Sequence, residues 1–104
     1  MLIVTSDRIE GRRIADYLGI VSGDAIVGAN MFRDLFARVR DVVGGRAGGY
    51  EKALRGAKEA ALEDIAEEAA ERGATAIIAV DLDYESVGDS MLRLSVNGTA
   101  VRLE

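Results

Sequence analysis

The spacing of apolar residues changes several times along the chain, and each change predicts a different secondary-structure element. The most regular segment covers residues 50–72, where apolar residues recur every three or four positions, as one face of a helix requires. The members of this stripe are Leu54, Ala57, Ala61, Leu62, Ile65 and Ala69. Gly73 follows where a left-handed residue commonly ends a helix. The pattern therefore predicts a long helix that buries one face.

A second helical period covers residues 30–45. Its apolar positions are Met31, Phe32, Leu35, Phe36, Val39, Val42 and Val43. Asn30 suits the N-cap, and Gly44 suits the C-terminal end. We predict a shorter amphipathic helix here, joined to the long one by a glycine-rich stretch.

Two segments after the long helix alternate in polarity with the period of a strand. In residues 74–85 the alternation places Ile78, Val80, Leu82 and Tyr84 on one face and Ile77, Ala79, Asp81 and Asp83 on the other. In residues 91–103 it places Leu92, Leu94, Val96 and Ala100 opposite Arg93, Ser95, Asn97 and Thr99. Residues 86–90 predict a hairpin loop. Matching the apolar faces pairs Leu82 with Leu94 or with a neighbour two positions along.

Two further strands are predicted before the helices. Residues 2–5 form a short apolar segment, and residues 12–30 form a long strand interrupted by a bulge or turn near Gly23. With the C-terminal hairpin, these strands predict an antiparallel sheet that carries the long helix on one face. The predicted fold class is α+β with two layers, in one domain over residues 1–104.

A two-layer arrangement leaves the second face of the sheet uncovered. On that face the alternation places four apolar residues among polar ones, namely Ile77, Met91, Val101 and Leu103. Apolar side chains and free strand edges in such a position are commonly covered by another subunit. We therefore expect a homo-oligomer, which is an economical way for a chain of 104 residues to cover this face.

The amino-acid composition narrows the chemistry. The sequence contains no cysteine and no histidine, which excludes disulfides, thiolate or imidazole metal ligands and a serine–histidine–aspartate triad. A metal ion would have oxygen ligands, as calcium and magnesium prefer. Because no paired catalytic constellation stands out, we expect a protein that is not an enzyme and needs no cofactor beyond a divalent cation.

The formal net charge of −5 disfavours binding to nucleic acid or to an anionic membrane, since both require a basic surface. No apolar run approaches the length of a membrane-spanning helix, which is about 18 residues or more. The N-terminal sequence MLIVTSDRIEG has no basic residues ahead of its apolar ones, unlike a secretory signal. We therefore expect a cytoplasmic protein.

Four segments of the sequence occur in the order found in a known family. They are IEGRRIADYLGIVSGDAIVGANMFRD, VGGRAGGYEKAL, GATAIIAVDLDYE and GTAVRL. Together they extend over essentially the whole chain and resemble the YbjQ-type proteins of bacteria and archaea. Typical members have a serine where this chain has Ala47. The resemblance implies a small subunit related to dodecin subunits, assembled as a homopentameric ring with no established activity.

The glycine-rich stretch is the first candidate site. Gly44 and Gly49 have the spacing of a phosphate-binding loop, yet Tyr50 and Glu51 follow where such a loop needs lysine and a hydroxyl group. One interpretation is an anion bound at the helix start. The other is a joint between two helices that places Arg46 at a subunit contact. The candidate residues are Gly45, Arg46, Gly48 and Gly49.

The segment DLDYE, residues 81–85, is the second candidate. Alternation places Asp81, Asp83 and Glu85 on one face, about 6.6 Å apart in succession. Three like charges in a row repel one another unless something neutralises them. A hard cation would do so, as would Arg93, which the hairpin places opposite or near Asp83, or basic residues of another subunit. Metal binding and structural ion pairing are therefore the two interpretations.

The second half of the long helix is acidic, at Glu59, Glu63, Asp64, Glu67, Glu68 and Glu71. We interpret these residues as a solvated face, on which Glu68 and Arg72 form a pair one turn apart. As a whole, the sequence predicts a self-assembling protein without a known activity. The alternative role is that of a module that binds a metal ion or a small anionic ligand through residues at subunit interfaces.

Overall fold

The structure is a computed structural model that describes residues 1–28, 48–88 and 91–104, and residues 48–50 by their backbone alone. In chain order its elements are β1 (Leu2–Ile3), β2 (Ile14–Val27), α1 (Gly48–Glu71), β3 (Ala76–Val87) and β4 (Met91–Leu103). The predicted helix over residues 30–45 lies outside the described residues. The predicted α+β class is confirmed.

The four strands form one sheet in the order β1-β3-β4-β2. β4 pairs antiparallel with β3 on one side and with β2 on the other. β1 pairs parallel with β3, with Leu2 opposite Ala76 and Ile3 opposite Ile77. The prediction of an antiparallel sheet is therefore wrong for β1, and the sheet is mixed. The alternation along a strand is the same in both arrangements, so it does not encode the direction of the partner.

α1 lies across β2 and β4 and buries the apolar stripe predicted from its sequence. Ala61, Ile65 and Ala69 are fully buried, and Ala57 and Leu62 pack at the margin of the same cluster. Burial of this stripe holds the helix on the sheet, because a helix of this kind gains most of its stability from packing. No helix in the described ranges is long and apolar enough to cross a bilayer.

The C-terminal end of α1 has the predicted glycine cap. Gly73 has a φ of 80°. Its N–H donates to the Ala70 carbonyl, and the Ala74 N–H donates to the Ala69 carbonyl, both at 3.0 Å. These two bonds satisfy carbonyl groups that the end of a helix leaves without partners.

β3 contains a β-bulge at Ala79, whose φ is 53°. The pairing register shifts between Ile78 and Asp81, so Ala79 and Val80 together lie opposite Gly98. An extra residue in one strand reverses which residues point to each face beyond it. The strict alternation predicted for residues 74–85 therefore holds on each side of Ala79 but not across it.

The bulge changes which residues of β3 lie beneath α1. Ile77 and Val80 both belong to the cluster under the helix, whereas Ile78 packs on the other face of the sheet. The prediction that Ile78 shares a face with Val80 is wrong, and so is the prediction that Ile77 lies on the uncovered face. Both errors have one cause, which is the extra residue at position 79.

Beyond the bulge, the hairpin follows the predicted matching of apolar faces. Leu82 lies opposite Val96, and Tyr84 lies opposite Leu94. Of the two predicted registers, this is the one displaced by two residues. Such a displacement keeps every side chain on its face, whereas a displacement by one would expose the leucines.

β2 runs without a break through Gly23, so the predicted interruption there is wrong. Its register against β4 shifts instead at two places between Ile14 and Gly19. Gly23 marks the close approach of α1, because a Cβ atom added there would overlap the carbonyl oxygen of Ala61. Glycine is needed at this position for space and not for a bend.

We call the sheet face opposite α1 the far face. One end of it is covered by the segment between β1 and β2, whose apolar residues pack against β3 and β4. The members of this second cluster are Ala76, Ile78, Val101 and Leu103, with Val4, Ile9 and Ile14 packed against them. The prediction that Val101 and Leu103 lie on an uncovered face is therefore wrong. The remainder of the far face has no such cover among the described residues.

Candidate functional site

The three candidate metal ligands lie in a row on the far face. Asp81, Asp83 and Glu85 occupy alternate positions of β3, and all three are exposed. Their partners on β4 are Asn97, Ser95 and Arg93, in that order. The alternation beyond the bulge thus gathers the carboxylates on one face, as their spacing in the sequence predicts.

The first two carboxyl groups of this row interact directly. A hydrogen bond with Asp81 raises the pKa of the Asp83 carboxyl above its usual value, and repulsion from the Asp81 charge adds to the effect. Partial desolvation and the charge of Glu85 raise it further. A hydrogen bond between two carboxyl groups requires a proton on one of them, so it favours the protonated form. A positive group beside Asp81 and Asp83 would therefore favour the deprotonated form of both carboxyl groups.

Arg93 does not neutralise the Asp81–Asp83 pair. Its guanidinium donates to Oδ1 of Asp24 on β2, from Nη2 at 3.0 Å and from Nε at 3.3 Å. Arg93 lies directly opposite Glu85 and is only diagonal to Asp83. Within the described ranges, no lysine or arginine forms an ion pair with Asp81 or Asp83. Arg93 therefore pairs with a carboxylate of β2, and ion pairing of this row with basic residues of another subunit stays a prediction.

The available donor atoms decide which metal ions suit the chain. Without cysteine or histidine, its only soft donors are the sulfur atoms of Met1, Met31 and Met91. Met1 precedes β1 near Ala76, whereas Met91 pairs with Val87, about 36 Å away along an extended strand. Met31 lies outside the described residues, and the two described sulfur donors are too far apart to bind one soft heavy-metal ion together. Nor do three carboxylates converge on a metal position anywhere in the described part of the chain.

The glycine-rich candidate divides into two parts. α1 begins at Gly48, so Gly48 and Gly49 form its first turn and not a loop. Gly45 and Arg46 lie outside the described residues, and the anion site or subunit contact proposed there stays a prediction. Further along α1 is a shallow depression of about 440 Å³, lined by Glu51, Lys52, Arg55, Gly56 and Glu59. Its two cations are balanced by two carboxylates, so it is not a basic pocket.

Three large apolar side chains project from β2 on the far face. Tyr17 is 71% exposed, Ile20 is 73% exposed and Ile26 is 59% exposed. Their far-face position follows from the pairing with β4, where Ile20 lies opposite Thr99 and Ile26 lies opposite Arg93. The sequence prediction missed this row because it treated residues 12–30 as an interrupted strand. Positions 20, 22, 24 and 26 of an unbroken strand share one face, which would have placed Ile20 and Ile26 together. Tyr17 joins them only through the register shift before Gly19.

A known protein family and its members match this chain over essentially its whole length. The YbjQ family model, described as "Putative heavy-metal-binding", matches residues 1–104. A UPF0145 protein of Bacillus thuringiensis subsp. konkukian is 53% identical over 103 residues, which is 99% of this chain and 100% of the relative. A UPF0145 protein of Bacillus cereus has the same identity and coverage. The names of these relatives state no reaction.

Comparison with solved structures supports the architecture. A crystal structure of a DUF74-family protein of unknown function from Pediococcus pentosaceus superposes with a TM-score of 0.58. The similarity covers 100% of this chain and 98% of that chain, at 17% sequence identity. At this identity the likeness shows the fold alone.

Proposed function

This chain belongs to the YbjQ family, and we propose that it is a self-assembling, non-catalytic protein whose copies pack through the far face. Its resemblance to that family implies such assembly. The observation that carries the proposal is the exposure of Tyr17, Ile20 and Ile26 in one row of β2. Burying apolar surface stabilises a contact by about 25 cal/mol per Å². A row of three large exposed apolar side chains therefore favours contact with another copy.

Polar groups beside this row would set how two copies meet. The Ser22 hydroxyl donates to Oδ1 of Asn97 at 2.7 Å, and the Arg93–Asp24 ion pair is 3.0 Å long. Both pairs lie between the two isoleucines. In protein interfaces, apolar residues supply most of the affinity, while charged and polar groups fix register and exclude wrong partners.

We propose five copies in a closed ring, in keeping with the family resemblance. When the far face of one copy packs against a different surface of the next, the contact is head-to-tail. Such contacts close into a ring if the rotation between neighbours fits a whole number of copies. A ring would also repeat the Asp81–Asp83 pair around its axis.

Light scattering coupled to size-exclusion chromatography at micromolar concentration tests the assembly. The wild-type protein is expected at about 56 kDa, which is five times the chain mass of 11.1 kDa. The double variant Ile20→Asp, Ile26→Asp places two charges in the apolar row. It should associate at least about tenfold more weakly and elute as single chains, because a buried unpaired carboxylate is strongly unfavourable.

Ala70→Asp is the matched control, because Ala70 is exposed on α1 and lies away from the far face. This control should keep the wild-type mass, and circular dichroism should show all three proteins folded. A wild-type protein that is a single chain at these concentrations would overturn the proposal. So would a double variant with the wild-type mass.

A second function, binding of a divalent cation by oxygen ligands, is favoured by the row of Asp81, Asp83 and Glu85 at alternate positions of β3 on the far face. Calcium takes about six to eight oxygen ligands. Two adjacent carboxyl groups offer some of these, Glu85 is next in the row, and another copy in the ring would add more. This function therefore depends on assembly.

Calorimetric titration with calcium, magnesium, nickel and zinc tests cation binding. The double variant Asp81→Asn, Asp83→Asn should bind on the order of tenfold more weakly or not at all, since it loses charged ligands. Metal ions bind the deprotonated carboxylate. Because the pKa of Asp83 is raised, wild-type affinity should increase as pH rises through that pKa, and the variant should lack this dependence.

Glu63→Gln combined with Glu67→Gln removes the same charge from the exposed face of α1 and serves as the control. It should bind as the wild type does. Flat traces for all four ions would rule out the cation-binding function. Equal binding by the two double variants would rule out Asp81 and Asp83 as ligands.

A further inference from the structure

Two carboxylates of α1 cap the outer edge of β2. Glu68 Oε2 accepts a hydrogen bond from the Ser22 N–H at 2.9 Å, and Asp64 Oδ2 accepts one from the Asp24 N–H at 3.1 Å. β2 is the last strand of the sheet, so these N–H groups point away from β4. Outward-facing backbone groups of an edge strand are a ready template for another strand.

Arg72, the residue directly after α1, extends the same row of side chains. Its Nη1 donates to the carbonyl oxygen of Leu18 at 3.0 Å, and its Nη2 donates to Oε1 of Glu68 at 3.2 Å. Glu68 is thus held between a guanidinium group and a backbone N–H of β2. Hydrogen bonds to charged groups are roughly twice as strong as neutral ones. The row therefore occupies two backbone N–H groups of β2, those of Ser22 and Asp24, and one backbone carbonyl, that of Leu18.

The spacing of the helix matches the spacing of the strand. Asp64 and Glu68 are one helical turn apart, or about 6.0 Å along the axis. Asp24 and Ser22 are alternate residues of a strand, about 6.6 Å apart. The helix and the strand run in opposite directions here, so each turn of α1 meets the next outward-facing N–H of β2. A periodic match of this kind is a property of the packing and not of one isolated contact.

Two glycines leave room for the contact. A Cβ atom at Gly23 would lie 2.8 Å from the backbone nitrogen of Ile65, so its absence lets α1 approach closely enough for the short Asp64 side chain to reach β2. A Cβ atom at Gly19 would lie 2.9 Å from Nη1 of Arg72. Gly19 also has a φ of 98°, a conformation that side chains disfavour.

We infer that Asp64, Glu68 and Arg72 form an edge guard, a set of side chains from α1 and the residue directly after it that occupies backbone groups of β2 and excludes a second strand. An extended peptide, or a strand of another copy, cannot pair along residues 18–24 without displacing it. The inference goes beyond the proposed assembly, because it concerns the edge of the sheet and not its far face. It holds for a single chain and for a ring.

Hydrogen exchange of the wild-type protein, measured by nuclear magnetic resonance, is the first test. The amides of Ser22 and Asp24 should exchange at least about tenfold more slowly than an unprotected peptide, because each is hydrogen-bonded to a carboxylate. Exchange of both amides at the unprotected rate would overturn the inference. This measurement needs no variant, so it does not depend on the folding of an altered chain.

Removing both acceptors is the second test. In Asp64→Ala combined with Glu68→Ala, exchange at Ser22 and Asp24 should rise at least about tenfold. The variant should also form larger, β-rich species that bind thioflavin T under conditions where the wild type does not. The variant Asp64→Asn with Glu68→Gln keeps an oxygen acceptor at each position and should retain most of the protection.

Glu63→Ala combined with Glu67→Ala is the control for charge. It removes the same two negative charges from exposed positions of the same helix and should match the wild type in exchange and in size. If the two alanine double variants show equal exchange and equal size, the edge guard does not exist.

Discussion

Replacing Gly23 by alanine should lower the free energy of unfolding by about 3 kcal/mol or more, because it forces an atom into a filled space. The new Cβ would overlap the carbonyl oxygen of Ala61, and it would lie 2.8 Å from the Ile65 backbone nitrogen and 3.1 Å from Cγ1 of Val96. Two of these neighbours are backbone atoms of α1, so no side-chain rotation relieves the overlap. The helix must move away from β2. Urea denaturation at a fixed protein concentration measures the loss.

Gly56→Ala provides the control for this prediction. It makes the same chemical change inside α1, but apart from the adjoining turns of the helix no part of the described chain lies within 4 Å of the added Cβ. Alanine is favoured over glycine in a helix, so this variant should gain about 0.5–1 kcal/mol. The two substitutions are therefore expected to have opposite signs. A Gly23→Ala variant as stable as the wild type would show that α1 does not pack this closely on β2.

Truncating Ile65 to alanine should cost about 2–5 kcal/mol, the range for large apolar residues in a well-packed core. Ile65 is fully buried in the cluster that contains Val21, Leu94 and Val96. The variant loses the burial of the removed atoms and leaves a cavity between helix and sheet. Because the stripe that includes Ile65 holds α1 in place, the edge guard should weaken as well. Urea denaturation and exchange of the Ser22 amide measure the two effects.

Ile65→Val is the graded control, since it removes one methylene group and should cost about 0.5–1.5 kcal/mol. The expected order of stability is wild type, then valine, then alanine. If the alanine variant lost less than about 1 kcal/mol, the side chain would not be buried as described, because exposed positions tolerate such changes.

The sequence predicted the carboxylate row on β3 but not its electrostatic partners. Asp81, Asp83 and Glu85 share a face because alternation is a local property of an extended chain. Arg93 was expected near Asp83, yet it pairs with Asp24, which lies 69 residues earlier in the chain. No local pattern indicates that β2 lies beside β4, so the sequence did not predict which carboxylate Arg93 would bind.

The bulge at Ala79 shows the same limit in the core. Alanine carries no sequence signal for a positive φ. The conformation is supported by hydrogen bonds from the Ala79 N–H to the Ser6 carbonyl at 2.8 Å and from the Val80 N–H to the Val4 carbonyl at 3.1 Å. Both acceptors lie in the segment that follows β1. Contacts with the other end of the chain thus decide that Ile77 faces the helix.

Local patterns in the sequence were enough to predict α1, its buried stripe and its glycine cap, together with the hairpin of β3 and β4. These features depend on residues a few positions apart, where periodicity and turn chemistry act directly. The parallel pairing of β1 with β3 and the packing of the N-terminal segment over Val101 and Leu103 became known from the folded chain. So did the hydrogen bonds of Asp64 and Glu68 to the edge of β2. Each of these contacts joins distant parts of the chain, and their relative position is set by the packing of the whole core.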